Sequence, residues 1–537
     1  MLCMPMEPQD APDLQEKLVR ALAGTLQAAS APVSLFETHI SWILVAGQSA
    51  CKIKKAVRFD FLDFSTLAAR RFYCEEELRL NRRLAPQLYL EVQAITGSAD
   101  APLLGGSGPA IEYALRMRAF PQEALWSERV VTGAIAAGEI DQLAAILARF
   151  HHEAPVAPSD SRWGTPALLR ASADEILDTL AQALRDPADK PRVDALLEWH
   201  QARHVQLCPT FERRRREGYV REGHGDLHCG NILTVDGHAT AFDCIEFSEG
   251  LRWIDVLNDI AFATMDLQVC GRADLAARLL DRYLEASGDY LDLALWRHYQ
   301  TLRALVRCKV YLLRLQELAA DAPQRTDCER RMQAYLGFAC ASISPASPAL
   351  MIMHGFSGSG KSTVAGAVVE LCGAVRIRSD VERKRMQGIA AGSPAAGDLY
   401  APAVSDATYA RLGLLARRIV EAGLPVVVDA AFLDRAQRQR FAALARELGV
   451  PFLIFDVRAD AALMRERLAR RARQGGDPSD AGVEVLALQL VSHHPLSAEE
   501  MPHVAPVDSA GGNVAQAIRF AWNSLQAVAH CSANAPS

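Results

Sequence analysis

Residues 355–363 read Gly-Phe-Ser-Gly-Ser-Gly-Lys-Ser-Thr, directly after the apolar run 349–353. This is the pattern G-x-x-x-x-G-K-[ST], found where a strand ends and a helix begins. Its three glycines allow the backbone to turn its N–H groups toward phosphate oxygens. The stretch therefore predicts a phosphate-binding loop at the end of a strand and a site for a nucleoside triphosphate.

Two side chains of this loop have predicted chemical roles. Lys361 supplies a positive charge for the β- and γ-phosphates, and the Ser362 hydroxyl is placed to hold Mg²⁺. The other loop residues that we expect to contact nucleotide are Gly355, Gly358, Ser359, Gly360 and Thr363.

The chain after the loop alternates apolar strands with helical segments. Strands are predicted at 374–378, 425–429 and 451–456 in addition to 349–353, which indicates an α/β domain with a parallel sheet. Asp380 and Asp429 follow or end two of these strands, where such sheets hold ligands. Asp380 is a candidate base for a substrate hydroxyl or, alternatively, a helix N-cap. Arg383 is a candidate substrate clamp, and Asp429 is a candidate carboxylate for Mg²⁺.

A basic helix follows the fourth predicted strand. Arg467 and Arg471 share one helix face and are predicted to close over the triphosphate as a lid, with a solvated surface helix as the alternative. Residues 474–480 contain the glycines that a mobile lid needs.

A second phosphate-handling pattern lies upstream of the loop. His224-Gly-Asp226 is followed by Asn231 and then by Asp243. This H-x-D-x-x-x-x-N…D spacing is typical of protein-kinase catalytic loops. Asp226 is the candidate base that accepts the proton of an attacking hydroxyl, while Asn231 and Asp243 are candidate metal ligands.

These motifs carry a resemblance to known enzymes. Residues from about 30 to 340 resemble the aminoglycoside phosphotransferase-like branch of the protein-kinase superfamily. The resemblance implies an α+β kinase fold of two lobes, with an N-lobe at about 30–118, a C-lobe at about 119–340 and ATP held between them.

The same resemblance implies an N-lobe lysine paired with a glutamate on the next helix. Lys52 and Lys54 are both candidates, since strand alternation puts them on one face. Glu77 is favoured by its helical register, with Glu76 as the alternative. Met117 falls where the adenine-binding hinge is expected.

The second half resembles small P-loop kinases of the adenylate, gluconate and polynucleotide kinase type, with Asp380 and Arg383 matching a base and a substrate clamp. The whole chain resembles bacterial fusions of an aminoglycoside phosphotransferase-like domain with a P-loop kinase. The expected domains are residues 1–345 and 346–530, joined near the proline- and serine-rich stretch 340–348.

Composition limits the partners. The 537 residues carry 58 basic and 64 acidic side chains, a net charge of −6, so global charge does not indicate nucleic-acid binding, although such an acceptor is possible. The 12 cysteines include no C-x-x-C pair, which favours a reduced, cytoplasmic setting. No apolar run reaches the ~18 residues of a membrane helix, so we expect no membrane partner.

A run of four arginines, residues 213–216, predicts a solvated helix face or an anion-attracting surface.

The resulting hypothesis is a bifunctional phosphotransferase that uses ATP and Mg²⁺ in both halves, each half phosphorylating a hydroxyl. The alternative is a P-loop kinase regulated by a first domain that binds nucleotide but is catalytically silent. The sequence does not identify the acceptors, the ATP or GTP preference or the oligomeric state.

Overall fold

The computed structural model describes residues 10–29, 32–59, 62–184, 186–344, 347–393, 401–474 and 478–533. The chain forms two compact units. The first contains Met1–Arg170 and Phe211–Ala263, and the second contains Ala171–Thr210 and Thr264–Ser537.

The N-terminal part of the first unit is an antiparallel sheet with two helices. Its helices are α1 (Asp10–Ala29) and α2 (Leu67–Asn81), and its strands are β1 (Val33–Glu37), β2 (Ser41–Ala46), β3 (Ser49–Lys54), β4 (Arg58–Phe59), β5 (Leu62–Asp63), β6 (Tyr89–Gly97), β7 (Pro102–Leu104) and β8 (Glu112–Arg118). The order in the six-stranded sheet is β1-β2-β3-β8-β6-β7, and β4 pairs with β5. Strands β2 and β3 form an antiparallel hairpin, with Lys52 opposite Ile43 and Lys54 opposite Ser41.

The remainder of the first unit is mainly helical, with two short strand pairs. Its elements are α3 (Trp126–Arg129), α4 (Ala137–Glu153), β9 (Val220–Glu222), β10 (Ile232–Val235), β11 (His238–Ala241), α7 (Glu249–Arg252) and β12 (Trp253–Asp255). Strand β9 pairs with β12, and β10 pairs with β11. The segment 223–231 between β9 and β10 contains the predicted catalytic loop. Helices α5 (Pro166–Ala183), α6 (Lys190–Arg216) and α8 (Val256–Val269) each span a division between the units.

The second unit contains a five-stranded parallel sheet. Its strands are β13 (Leu350–His354), β14 (Val375–Arg378), β15 (Val426–Asp429), β16 (Phe452–Arg458) and β17 (Val504–Asp508). They lie in the order β14-β15-β13-β16-β17, and each neighbouring pair is parallel. The helices of this unit are α9 (Ala273–Ser287), α10 (Leu293–Glu317), α11 (Arg325–Ser342), α12 (Lys361–Cys372), α13 (Ser379–Met386), α14 (Pro402–Glu421), α15 (Arg435–Glu447), α16 (Ala461–Gln474), α17 (Val483–Ser492) and α18 (Val514–Ala533).

The sheet core explains why its strands read as apolar runs. Every residue of the central strand β13 is buried, because helices cover both faces of a parallel sheet. Met351, Met353 and Val427 of the strands pack with Val364 and Val368 of α12. The predicted fold class, a kinase-like domain followed by an α/β domain with a parallel sheet, is confirmed.

The two compact units do not coincide with the predicted segments 1–345 and 346–530. Helix α9 precedes residue 345 but lies in the second unit, where Arg376 of β14 makes an ion pair with Asp281 at 2.9 Å. Contacts between residues distant in sequence therefore cross the predicted boundary, which stays a prediction.

Across the described ranges, no helix is both long enough and apolar enough to span a membrane.

Candidate active sites

The phosphate-binding loop connects β13 to α12, as the motif predicts. Gly358 and Gly360 have φ angles of +81° and +95°, which side chains rarely permit. A Cβ atom at Gly358 would lie 2.6 Å from the Met464 carbonyl oxygen, and one at Gly355 would lie 2.6 Å from the Val457 carbonyl oxygen. Glycine is therefore required at these positions for the loop to fold closely against its neighbours.

Lys361 begins α12, and its ammonium group lies inside the loop. Its Nζ donates to the Phe356 carbonyl oxygen at 2.7 Å. Burial lowers the pKa of Lys361 to about 8, although Asp429 and Asp380 favour its charged form. At neutral pH the group remains mainly positive and lines a cavity, and no carboxylate among the residues that the structure describes forms an ion pair with it.

That cavity has a volume of about 840 Å³ and collects most of the residues predicted for the second half. The predicted residues that line it are Gly358, Gly360, Lys361, Ser362, Thr363, Asp380, Arg383, Asp429, Arg467 and Arg471. The lining set does not include Gly355 or Ser359, and the Ser359 side chain is buried within the loop. The structure thus brings candidate nucleotide, metal and acceptor residues to one place.

Asp380 and Arg383 are bonded to each other at the edge of this cavity. Asp380 is the second residue of α13, and Arg378 occupies the N-cap position. The Arg383 guanidinium donates to the Asp380 carboxylate. The alternative of Asp380 as the N-cap is therefore not what the structure contains, and the carboxylate is available to the cavity.

The oxygen groups near Ser362 suit a magnesium ion. Asp429 ends β15, is 6% exposed, and its Oδ2 atom accepts no hydrogen bond from the part of the chain that the structure describes. A buried carboxylate oxygen without a hydrogen-bond donor is unfavourable unless a cation lies close to it, and Arg378 Nε, at 3.5 Å from Asp429 Oδ2, is too far away for a good hydrogen bond. Carboxylate and hydroxyl oxygens are also the ligand types that Mg²⁺ prefers. Ser362 and Asp429 therefore fit the predicted metal.

The two predicted lid arginines make different contacts. Arg467 donates to the Ser359 carbonyl oxygen at 3.2 Å and to Ser509 Oγ at 2.8 Å, so it is attached to the loop itself. Arg471 donates to the Ala481 carbonyl oxygen. The glycines predicted as lid hinges, within 475–477, lie outside the described residues. Both guanidinium groups still line the cavity, as expected for contacts with phosphate.

In the first unit, the two candidate lysines converge on Glu77. Lys52 Nζ lies 2.7 Å from Glu77 Oε1 and 2.8 Å from Asp243 Oδ1. Lys54 Nζ lies 2.7 Å from Glu77 Oε2 and also pairs with Glu246. Both lysines thus share one carboxylate, with Lys52 at the predicted metal aspartate and Lys54 deeper in the core.

Ionisation of this cluster follows from the same contacts. Burial would raise the pKa of Glu77, but Lys52 and Lys54 hold it below its ordinary value. Burial raises the pKa of Glu246, although Lys54 opposes the rise. The alternative partner, Glu76, bonds instead to Arg79 and Arg252.

The predicted catalytic loop is held in shape by its own side chains. Asn231 Nδ2 donates to the Asp226 carbonyl oxygen at 2.9 Å and to Asp226 Oδ2 at 3.0 Å. His228 Nε2 lies 3.4 Å from Asp226 Oδ2. Asp243 has a φ angle of +64°, and its N–H donates to the Tyr89 hydroxyl at 3.1 Å. The Asp243 carboxylate and the Asn231 side-chain amide offer oxygen atoms of the kind that Mg²⁺ prefers, so these two residues fit the predicted metal.

Asp259 accepts hydrogen bonds from the backbone at the start of this loop. Its carboxylate accepts the backbone N–H groups of His224 at 2.7 Å and Gly225 at 2.9 Å. Burial would raise the pKa of Asp259, but hydrogen bonding to His151 and its other neighbours bring it to about 2. The carboxylate therefore stays charged and fixes the residues just before Asp226.

Met117 lies in β8 opposite Ala50 of β3 and is buried. It belongs to an apolar cluster that includes Leu233 and Phe242, from the strands after the catalytic loop. The predicted hinge position is thus part of the apolar surface that joins the N-terminal sheet to β10 and the segment beyond β11.

Comparisons with known proteins match the two regions of the chain that contain these sites. A model of the Phosphotransferase enzyme family matches residues 67–305, and a model of the AAA domain matches residues 350–496. Uncharacterized proteins of Mycobacterium tuberculosis and Mycobacterium bovis are each 33% identical to the chain over 471 residues, which cover 85% of this chain and 89% of each relative. The chain belongs to this phosphotransferase–AAA fusion family.

Two solved structures are similar to parts of this phosphotransferase–AAA protein. A gluconokinase from Sinorhizobium meliloti is 25% identical, with a TM-score of 0.25, over 34% of this chain and 95% of its own. A choline/ethanolamine kinase family protein from Mesorhizobium loti is 13% identical, with a TM-score of 0.38, over 61% of this chain and 99% of its own.

Sequence reasoning missed two residues of the phosphotransferase–AAA protein. Arg378 lines the same cavity as Lys361, and its position two residues before Asp380 at a strand end was an available signal. Gln489 accepts the Ser357 N–H at 2.8 Å and also lines the cavity, but nothing in its sequence context marks it.

One residue of the arginine run 213–216 differs from both expectations. Arg214 is fully buried, and its Nε and terminal nitrogen donate to Asp255 at 2.7 and 2.9 Å. Neither a solvated face nor an anion-attracting surface describes this residue, because an acidic partner distant in sequence neutralises it.

Proposed function

We propose that the protein is a bifunctional ATP-dependent phosphotransferase in which each unit transfers a γ-phosphoryl group to a hydroxyl of a small molecule or a nucleic acid. One observation carries the proposal. Each unit contains a half-buried lysine, a carboxylate of the kind that binds Mg²⁺ and a second carboxylate that can act as a proton acceptor. Membership of a family that joins two phosphotransferase-like domains supports the same conclusion.

In the second unit, the acceptor hydroxyl would lose its proton to an Asp380 carboxylate oxygen. The acceptor oxygen forms a bond to the γ-phosphorus as the bond to the β–γ bridging oxygen breaks, and ADP leaves. Lys361, Arg467 and Arg471 stabilise the negative charge on the phosphates, and Arg383 holds the acceptor beside Asp380.

In the first unit, Asp226 takes the role of the proton acceptor and Lys52 binds the phosphates of the nucleotide. Glu77 keeps Lys52 in place, and Asn231 keeps the Asp226 carboxylate oriented. When bound, Mg²⁺ supplies neutralisation of the triphosphate charge, held by Asn231 and Asp243 here and by Ser362 and Asp429 in the second unit.

The test measures nucleotide binding and transfer separately. Calorimetry of the full chain with ATP and Mg²⁺ is expected to give two binding sites, of which Lys361→Ala removes one. A metabolite extract screened with γ-labelled ATP is expected to yield labelled products of two kinds. Asp226→Asn should abolish one kind and Lys361→Ala the other, while Asp236→Asn, an exposed carboxylate paired with Arg118, should leave both.

The alternative, a first unit that binds nucleotide but only regulates the second, has its own outcome. Asp226→Asn would then leave every labelled product in place and change the kinetics of the Lys361-dependent reaction. A single bound nucleotide that Lys361→Ala removes completely would contradict the bifunctional proposal.

A further inference from the structure

Strand β14 carries two arginines on one face. Arg376 and Arg378 are two residues apart, so their side chains project to the same side of the strand. Helix α9 provides the acidic groups that meet them, and α9 lies in the same compact unit as the sheet. This helix belongs to the region matched by the phosphotransferase family, at 67–305, and lies outside the AAA-domain match at 350–496.

The two arginines share one glutamate. A terminal nitrogen of Arg376 lies 2.9 Å from Asp281 Oδ2 and 2.8 Å from Glu285 Oε2. A terminal nitrogen of Arg378 lies 3.0 Å from Glu285 Oε1. Glu285 thus uses one oxygen for Arg376 and the other for Arg378. Among the ion pairs of the described residues, Asp281 contacts Arg376 but not Arg378.

Arg378 is the one of these two arginines that reaches the cavity. Its guanidinium lines the cavity with Lys361 and Asp380, and its Nε lies 3.5 Å from Asp429 Oδ2. The same side chain is therefore placed between Glu285 of α9 and the carboxylate that suits Mg²⁺. The contact with Glu285, at 3.0 Å, is shorter than the contact with Asp429, at 3.5 Å, and it uses a different nitrogen of the guanidinium.

Glu285 is charged at neutral pH. Burial would raise its pKa, but Arg378 and Arg376 hold the pKa below its ordinary value. A charged acceptor gives a hydrogen bond roughly twice as strong as a neutral one, so the position of Arg378 depends on this carboxylate.

We propose that Glu285 is a positioning residue of the second site: it holds Arg378 where the guanidinium faces the anionic groups in the cavity, and it leaves Asp429 available to the metal. This inference rests on the proposed function of that site. It also means that the P-loop site of this protein is completed by a helix from the region matched by the phosphotransferase family.

The test is Glu285→Gln in the full chain. Asp226→Asn is present in every variant so that the first site does not contribute to turnover, and the assay is ATP hydrolysis with water as the acceptor. With the Glu285 charge removed, Asp429 is the carboxylate that remains beside Arg378. We expect kcat to fall about tenfold and the Mg²⁺ concentration for half-maximal rate to rise several-fold, while the KM for ATP changes less than about twofold.

Equilibrium binding provides a readout independent of turnover. At Mg²⁺ concentrations too low to saturate the site, the calorimetric site that Lys361→Ala removes should bind ATP more weakly in Glu285→Gln, whereas at saturating Mg²⁺ the affinity should be close to that of the parent. In EDTA the two proteins should bind ATP at this site equally, because the metal no longer competes with Arg378 for Asp429.

Asp281→Asn is the matched control. It weakens the same contact between α9 and β14 through Arg376 but has no described contact with Arg378, so kcat and the Mg²⁺ requirement should remain those of the parent. The double variant Glu285→Gln/Arg378→Gln should be no slower than Arg378→Gln alone, because Glu285 acts through that arginine.

Three results would overturn the inference: Glu285→Gln equal to the parent, Asp281→Asn equally impaired, or fully additive losses in the double variant. Failure of the proposed function is distinguishable, because Lys361→Ala would then leave ATP binding and hydrolysis unchanged in the parent protein.

Discussion

Replacing Glu77 with glutamine should destabilise the first unit strongly. The Glu77 and Lys54 side chains are both 0% exposed, and Glu77 accepts from Lys52 and Lys54 at 2.7 Å each. Removing one partner of a buried ion pair costs about 3–5 kcal/mol, because the remaining charge is left without compensation. Glutamine keeps one acceptor oxygen, and each lysine keeps a second carboxylate, so we expect the lower end, about 3 kcal/mol.

The assay is urea unfolding of the full chain, monitored by fluorescence. Differential scanning calorimetry measures thermal unfolding of the same variants. A loss of about 3 kcal/mol corresponds to a melting transition lowered by roughly 6–12 °C for a unit of this size. Glu75→Gln is the matched control, two residues earlier on α2, because Glu75 is exposed and pairs with Arg71 four residues before it. Its loss should stay below about 0.5 kcal/mol.

The pH dependence follows from the sign of the pKa shift. The pKa of Glu77 in the folded protein is lower than 4.5, its ordinary value. The stabilisation is therefore fully present above about pH 4.5 and is lost as the pH falls through the folded-state pKa. The difference between wild type and Glu77→Gln should be constant from pH 8 to pH 5 and shrink below that. Equal stability of Glu77→Gln and Glu75→Gln at pH 7 would refute the reasoning.

Two further predictions concern the loops of the two sites. Asp259→Asn should lower the kcat of the first site at least tenfold with little change in the KM for ATP. The His224 and Gly225 N–H groups donate to different Asp259 oxygens, and in asparagine one of these oxygens becomes an NH₂ group that cannot accept; unchanged steady-state kinetics would contradict this role. Gly358→Ala should abolish the Lys361-dependent nucleotide binding measured by calorimetry, since the added Cβ would lie 2.6 Å from the Met464 carbonyl oxygen. Gly366→Ala, a helical position with no atom within 4 Å of the added Cβ, is its control and should bind nucleotide normally.

Local sequence patterns were sufficient to predict the elements that are formed by residues close together along the chain. The phosphate-binding loop could be predicted because its glycines and its lysine act within nine consecutive residues. The strands β13–β16 could be predicted because a sheet covered on both faces requires continuous apolar runs. Strand β17 was not located, since Val504–Asp508 is partly exposed and includes Pro506.

For side chains that pair across long distances in the sequence, the sequence limited the candidate partners but did not identify all the contacts. Strand alternation placed Lys52 and Lys54 on one face and helical register favoured Glu77, but a pattern along one element does not say how many partners its side chain meets. The structure shows both lysines on Glu77, with Asp243 and Glu246 added from a segment about 190 residues away.

By itself, therefore, the sequence determined the kinase-like fold followed by a parallel sheet, the loop at 355–363 and the candidate catalytic groups, since each depends on spacing along the chain. Only the tertiary structure decided that Arg214 is buried against Asp255 and that Glu285 of α9 holds Arg378 beside Asp429. The physical reason is that a charge's surroundings are set by elements brought together in folding, and no spacing rule along the chain specifies which carboxylate an arginine will meet.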